Sequence, residues 1–124
     1  MKIIAITSPK VVDEDVRIIN TLLDNGVDTV HLRKPDSDID ECRKLLAELS
    51  ATKRAKIVVH DYSELYFEFS LKGIHINKNV TALPEGYSGI KTRSCHSFEE
   101  VKRYKNCYDY LFLNNLFQRQ SKYY

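Results

Sequence analysis

The sequence predicts an α/β fold in which β/α units repeat around a parallel sheet. Apolar, β-branched stretches alternate with segments of helical period at a nearly constant spacing, which is typical of such units. The first stretch, residues 2–7, is almost continuously apolar, as expected for a strand that is buried on both faces. A content of 43% apolar and 29% charged residues is ordinary for a globular domain. We expect a single domain over residues 1–124, an incomplete barrel.

The first unit shows the pattern clearly. After strand one, Asp13, Glu14 and Asp15 place negative charge at the N-terminus of a helix. Apolar residues then recur at helical spacing, and Gly26 supplies a C-terminal stop. The apolar stripe consists of Val16, Ile19, Leu22 and Leu23.

Five further strands are predicted in the same rhythm, at residues 29–33, 56–60, 73–77, 90–95 and 109–113. Helices are expected at about 39–50 and 62–72, and from the capping box of Ser97 and Glu100 to about residue 106. Residues 78–89 contain Pro84, Gly86 and Gly89, so a helix there should be short or absent.

Beyond residue 113 the repeating pattern stops, and six strands amount to about 60% of a barrel that needs roughly 200 residues. We expect that these 124 residues are not a self-sufficient enzyme, because an open barrel leaves two unpaired strand edges. Omission of further residues is the favoured explanation. Closure through a homo-oligomer is the alternative.

Charge and composition exclude several classes of partner. The net charge is only +2 and both signs are interleaved, so no nucleic-acid partner is expected. The apolar runs are far shorter than the roughly 20 residues of a membrane helix, and no signal peptide is evident. We expect a cytoplasmic protein that does not bind membranes. Cys42, Cys95 and Cys107 form no C-x-x-C pair and should be reduced thiols.

All four histidines, His31, His60, His75 and His96, lie in or at the end of predicted strands. In parallel β/α folds the functional site forms at the carboxyl ends of the strands, where helix N-termini also point. We therefore expect the four rings to gather near one pocket. For any single histidine, burial with a backbone partner is an equally good interpretation.

Charged residues at the same strand ends favour a phosphate ligand. Strand alternation places His31 and Arg33 on one face, with Lys34 at the rim. Arginine offers a planar bidentate fork and lysine a point charge, although both could be solvated loop charges. Asp61, directly after strand three, could hold Mg²⁺ together with substrate phosphates, or could simply cap a turn.

Four short motifs occur in a specific order. They read His31-Leu32-Arg33-Lys34, His60-Asp61, Gly73-Ile74-His75-Ile76, and Ser94-Cys95-His96-Ser97 followed by Glu99-Glu100. In this order they resemble the motifs of the thiamine phosphate synthase and thiazole tautomerase family. The resemblance runs from Met1 to about Phe117, and Ser121-Lys122 is similar to the Thr-Lys pair that closes the family's next loop.

This resemblance implies a (β/α)8 TIM barrel, of which the chain holds about six units, and a transferase of thiamine biosynthesis. A thiamine phosphate synthase transfers hydroxymethylpyrimidine from its diphosphate to thiazole phosphate and releases pyrophosphate with Mg²⁺. The implied partners are these phosphorylated pyrimidine and thiazole substrates. The implied catalytic residues are His96, Ser94 and Lys122, the substrate-binding residues are His31, Arg33, Lys34, His60, His75 and Ser121, and the metal ligand is Asp61.

The sequence also departs from the family pattern. His31 replaces a usual glutamine, His60 replaces a usual asparagine, and residues 77–80 lack the expected acidic ligand. Histidine at position 31 and the Arg93-Ser94-Cys95-His96 pattern of strand five are similar to the thiazole tautomerase branch, in which His96 would act as the general acid and base. Two alternatives to the synthase therefore remain: a tautomerase, and an inactive relative that binds a phosphorylated ligand.

A doubly wound domain of receiver type is the rival fold for a chain of this length, and a reversal of strand order at strand one would distinguish it. For the barrel we expect Arg33, Asp61, Ser94 and His96 to converge on one mouth at the carboxyl ends of the strands.

Overall fold

The computed structural model describes residues 2–113 of the chain. The six strands are β1 (Ile4–Ile6), β2 (Thr29–Leu32), β3 (Ile57–Val59), β4 (Gly73–Ile76), β5 (Ile90–Cys95) and β6 (Tyr110–Leu113). The helices are α1 (Asp15–Asp24), α2 (Ile39–Ala47), α3 (Ala51–Arg54), α4 (Glu64–Phe69) and α5 (Phe98–Tyr104). Within residues 2–113, none of these helices has the length and apolar character needed to cross a membrane.

All six strands run parallel in one sheet, in the order of the chain. His31 of β2, for example, lies beside Ile6 of β1 and Val58 of β3. The order does not reverse at β1, so the doubly wound alternative is wrong. The predicted open barrel of about six β/α units is confirmed.

The two faces of the sheet differ in chemistry. On the outer face, alternate strand residues pack against α1, α2 and α4 and form the apolar core, which includes Val30, Ile57 and Ile74. On the inner face the alternation places polar rings, and His31 and His75 are fully buried there. The helices therefore hold the sheet from outside while the inner face carries polar groups.

Two predicted element boundaries differ from the observed ones. The helix expected at 39–50 ends at Ala47, and the Ser50 hydroxyl then accepts a hydrogen bond from the Lys53 N–H (3.3 Å) at the start of α3. At α5 the predicted capping box is half formed. Ser97 Oγ accepts from the Glu100 N–H (3.1 Å), whereas the Glu100 carboxylate accepts from the backbone N–H of His96 (2.7 Å).

No helix lies between β4 and β5, as predicted, and Tyr87 covers the two strands instead. Its hydroxyl accepts from the Ile74 N–H (2.8 Å) and donates to the Ile90 carbonyl. A Cβ atom at Gly73 would lie 2.6 Å from the Ile90 carbonyl oxygen, so only glycine allows this close approach.

Helix α2 begins with a complete capping box that was not predicted from the sequence. Asp38 Oδ1 accepts from the Glu41 N–H (2.8 Å), and Glu41 Oε1 accepts from the Asp38 N–H (3.4 Å). We expect Asp38→Ala to lower the free energy of unfolding by about 1 kcal/mol, measured by chemical denaturation. The matched control, Asp36→Ala, lies outside the box and should cost less than about 0.5 kcal/mol. Equal losses in both variants would contradict this assignment.

Candidate functional site

A pocket of about 740 Å³ opens at the carboxyl ends of the strands. The structure brings five predicted site residues together in its lining, namely Arg33 after β2, His60 and Asp61 after β3, Ser94 in β5 and His96 after β5. The remaining lining residues are Ile6, Pro35, Asn77, Lys78, Asn79 and Phe112. The pocket therefore collects groups from all six strands that the structure describes.

Arg33 lies at the exposed edge of this pocket. Its backbone is fixed by Thr7, whose hydroxyl accepts from the Arg33 N–H (3.0 Å) and donates to the Arg33 carbonyl (3.0 Å). These bonds join the ends of β1 and β2. The hydrogen bonds from Thr7 therefore fix the backbone from which the Arg33 side chain extends at the pocket edge.

Lys34 does not lie at the rim as predicted. Its side chain is 0% exposed, and its ammonium pairs with Asp15 Oδ2 at 2.8 Å. It also donates to the Lys10 carbonyl (2.9 Å) and to Ser8 Oγ (3.3 Å). The strand ends after Leu32, so the chain turns and directs Lys34 toward the N-terminus of α1 rather than toward the pocket. We therefore correct its expected position from the pocket rim to a buried ion pair.

Asp61 adopts a left-handed backbone conformation, with φ of 70°. Its Oδ1 accepts hydrogen bonds from the side-chain amides of Asn77 (3.0 Å) and Asn79 (3.1 Å). Asn77 is itself held, because its Oδ1 accepts from the backbone N–H groups of Asn79 (2.8 Å) and Val80 (2.9 Å). The loop after β4 therefore orients the carboxylate at the pocket.

Asp61 fits Mg²⁺ as a single protein ligand. Among the described lining residues it is the one carboxylate, and two asparagine amides orient it. Mg²⁺ prefers oxygen ligands and is commonly held by one or two carboxylates together with substrate phosphates and water. The lining is thus compatible with an ion that a phosphorylated ligand brings with it.

Three of the four histidines form a buried cluster beneath the pocket. His31 Nδ1 lies 2.8 Å from His60 Nε2, and His31 Nε2 lies 2.6 Å from the Tyr110 hydroxyl. The His60 and His75 rings stack with centroids 4.0 Å apart and an interplanar angle of 8°. Only His60 of the three lines the pocket.

His75 is held by two hydroxyl groups of β5. Its Nδ1 lies 2.6 Å from Thr92 Oγ1, and its Nε2 lies 2.6 Å from Ser94 Oγ. Ser94 also lines the pocket, so this contact joins the cluster to the pocket wall. His96 lines the same wall with its exposed side chain, and its backbone N–H is held by Glu100.

Burial keeps the clustered imidazoles neutral. Loss of solvation, with smaller contributions from neighbouring positive charges, lowers the pKa of His31 to about 3 and that of His60 to about 2. For His75, burial lowers the pKa to about 4, although Asp61 acts in the opposite direction. Burial also raises the pKa of Tyr110 to about 12, so the phenol keeps its proton at neutral pH.

The cluster has a composition that suggests a metal site, since one ligand atom from each of His31, His60 and His75 lies within 4.8 Å of the others. Its geometry does not fit one ion. A metal lies in the plane of each ligating ring, whereas His60 and His75 are nearly parallel and stacked. Both nitrogens of His31 and of His75 already have hydrogen-bond partners. His31 and His60 are therefore hydrogen-bonded to each other, whereas His75 stacks on His60 and has its own hydroxyl partners.

Residues that shape this site but were not predicted from the sequence include Thr92 and Tyr110 beneath the pocket, and Lys78 and Asn79 in its lining. Strand alternation was the available signal for Thr92 and Tyr110. Thr92 lies two residues before Ser94, and Tyr110 lies two residues before Phe112, so each shares the inward face of its strand with a lining residue. Loop residues 78 and 79 have no such periodic signal. Ser121 and Lys122 lie outside the described residues.

A parallel sheet in chain order, with a charged pocket at its carboxyl edge, defines a protein of the β/α-barrel class. The thiamine monophosphate synthase family model matches residues 3–123. The chain therefore belongs to this family.

Two solved structures are similar to the chain. A thiamine phosphate pyrophosphorylase from Bacteroides thetaiotaomicron is 38% identical, with a TM-score of 0.86, and the match covers 96% of this chain and 60% of that one. A thiamine phosphate pyrophosphorylase from Pyrococcus furiosus has a TM-score of 0.69 at 18% identity, and the match covers 93% of this chain and 60% of that one. The second likeness shows the fold alone. No curated protein matches the sequence. The chain spans about 60% of the length of both structures.

Proposed function

We propose that this chain contributes the N-terminal part of a thiamine phosphate synthase site, which transfers hydroxymethylpyrimidine from its diphosphate to thiazole phosphate. The observation that carries the proposal is the pocket in which Arg33, Asp61, Ser94 and His96 meet. Family membership and the likeness to the Bacteroides structure support it. The tautomerase has no comparable support among the similar structures.

In this proposal the residues mainly bind and orient a departing pyrophosphate. The guanidinium of Arg33 would hold the pyrophosphate bidentately, and Ser94 Oγ would donate a hydrogen bond to a phosphate or leaving-group oxygen. Mg²⁺, held by Asp61 and the phosphates, would neutralise charge on the leaving group when bound. His31, His60 and His75 would form the neutral floor beneath the substrates, and His96 would act at the wall as a proton donor.

The reaction is tested with a protein that contains this chain together with the remaining barrel units, both synthase substrates and Mg²⁺. Release of pyrophosphate coupled to formation of thiamine phosphate is the expected result. Thiazole isomerisation without pyrophosphate release would favour the tautomerase instead. Binding of the phosphorylated substrates with neither reaction would favour an inactive ligand-binding relative.

The role of Arg33 gives a separate prediction. We expect Arg33→Ala to weaken the binding of inorganic pyrophosphate about tenfold, or about 1.4 kcal/mol, because a charge-assisted bidentate contact is lost. Isothermal titration calorimetry measures this change. Arg43→Ala is the matched control, since Arg43 pairs with Glu68 on the outer helices and does not line the pocket. Equal weakening in the two variants would remove Arg33 from the proposed site.

A further inference from the structure

A hydrogen-bonded line runs from the inner face of β6 to the pocket. It begins at the Tyr110 hydroxyl, passes through both ring nitrogens of His31, and ends at Nε2 of His60. The contacts are 2.6 Å and 2.8 Å long, and His31 and His60 are 0% and 4% exposed. His60, which lines the pocket, is therefore connected through His31 to Tyr110 of β6, which does not line it.

The protons of this line are coupled to one another. A neutral imidazole carries one N–H and one acceptor nitrogen, so a donor on one side of His31 requires an acceptor on the other. Only two arrangements make both bonds: all protons point from Tyr110 toward His60, or all point the other way. A phenol is the more acidic partner and an imidazole nitrogen the stronger acceptor, so the first arrangement is favoured.

The first arrangement determines the tautomer of His60. The Tyr110 hydroxyl donates to His31 Nε2, and His31 Nδ1–H then donates to His60 Nε2. Because Nε2 of His60 is an acceptor, the single proton of the neutral ring must lie on Nδ1. A tyrosine that does not line the pocket thus sets the hydrogen-bonding character of a residue that does.

We propose that Tyr110 is a positioning residue which, through His31, fixes His60 as the neutral Nδ1–H tautomer, so that His60 offers a hydrogen-bond donor to an oxygen acceptor of the bound ligand. The identity of that ligand rests on the proposed function. The tautomer itself does not, since it follows from contacts that are present without a ligand. Burial lowers the pKa of His31 and raises that of Tyr110, so at neutral pH the imidazole of His31 is neutral and the phenol keeps its proton.

Nitrogen-15 NMR of the imidazole rings in the full, ligand-free chain tests this inference. We expect His60 to show the Nδ1–H tautomer, and Tyr110→Phe to convert part of the population to Nε2–H. Tyr108→Phe is the matched control, because the Tyr108 hydroxyl contacts Arg93 rather than the histidine line. If Tyr110→Phe does not fold, His31→Gln is the second variant. It removes the imidazole that bonds to His60 and should also change the His60 tautomer. An Nε2–H tautomer in the wild type, or no change in Tyr110→Phe, would overturn the inference.

Binding of inorganic pyrophosphate supplies the second readout. We expect Tyr110→Phe to weaken this binding about threefold to tenfold and Tyr108→Phe to leave it unchanged. Unchanged binding in a Tyr110→Phe protein whose His60 tautomer has shifted would overturn the donor role of His60. A wild-type chain that binds no pyrophosphate would contradict the proposed function, while the NMR result would still decide the role of Tyr110.

Discussion

Asp15→Asn is expected to lower the free energy of unfolding by about 3 to 5 kcal/mol, the usual cost of removing one partner of a buried ion pair. The variant leaves the ammonium of Lys34 inside the protein without its carboxylate, and the side chain of Lys34 is fully buried. Asp15 Oδ2 also accepts from the Val12 N–H (2.8 Å), so the start of α1 is weakened as well. Urea denaturation at pH 7.5 measures the change.

Asp24→Asn is the matched control for this prediction. Asp24 pairs with Lys53 at 3.0 Å, but its side chain is 63% exposed, so the same substitution should cost less than about 1 kcal/mol. The double variant Asp15→Leu with Lys34→Met should be more stable than Asp15→Asn, because no charge is left buried. A loss for Asp15→Asn as small as that for Asp24→Asn would show that the buried pair contributes little.

Acidification from pH 7.5 to pH 5.5 is expected to lower the free energy of unfolding by about 4 kcal/mol. His31, His60 and His75 have lowered pKa values in the folded state, mainly because burial disfavours their charged forms. Below pH 6.5 the unfolded chain binds protons at these residues and the folded chain does not, so stability falls as the pH falls. Each histidine contributes about 1.4 kcal/mol at pH 5.5.

The pH range of this effect separates it from the behaviour of carboxyl groups. Carboxyl groups ordinarily titrate near pH 4, so they contribute little between pH 7.5 and pH 5.5. The contribution of the three neutral rings to stability is fully present above pH 6.5. It decreases as the pH falls toward their folded pKa values of about 2 to 4. Denaturation curves at several pH values measure the slope, and His75→Gln should reduce it by about one third. A flat profile over this range would mean that the rings are charged or exposed in the folded chain.

The fold was predictable from the sequence because each β/α unit repeats the same local signals. Apolar strands, helical stripes and the stop at Gly26 are properties of short segments, and the observed strands lie within the predicted ranges. The capping box at Asp38 was missed because Asp36, Ser37 and Asp38 are all good caps, and only the three-dimensional contacts select one. The assignment of residues 1–124 to a single domain stays a prediction.

The site was predictable only in part. The gathering of strand-end residues follows from parallel topology, so the convergence of Arg33, Asp61, Ser94 and His96 could be anticipated, while their roles stay predictions. The burial of Lys34 could not, because its partner Asp15 is distant in sequence and no period links the two. Tyr110 was likewise missed, since its contact with His31 requires the curvature of the sheet.

The agreement between strand order and chain order has a consequence for how the molecule assembles. Every strand pair in the sheet joins neighbours along the chain, so no pairing must wait for a distant segment. The entropy lost in closing each connecting loop is therefore small compared with that of sheets whose order is permuted. We expect the sheet to grow by successive addition, so that a nascent chain can pair each strand with the preceding one as it leaves the ribosome.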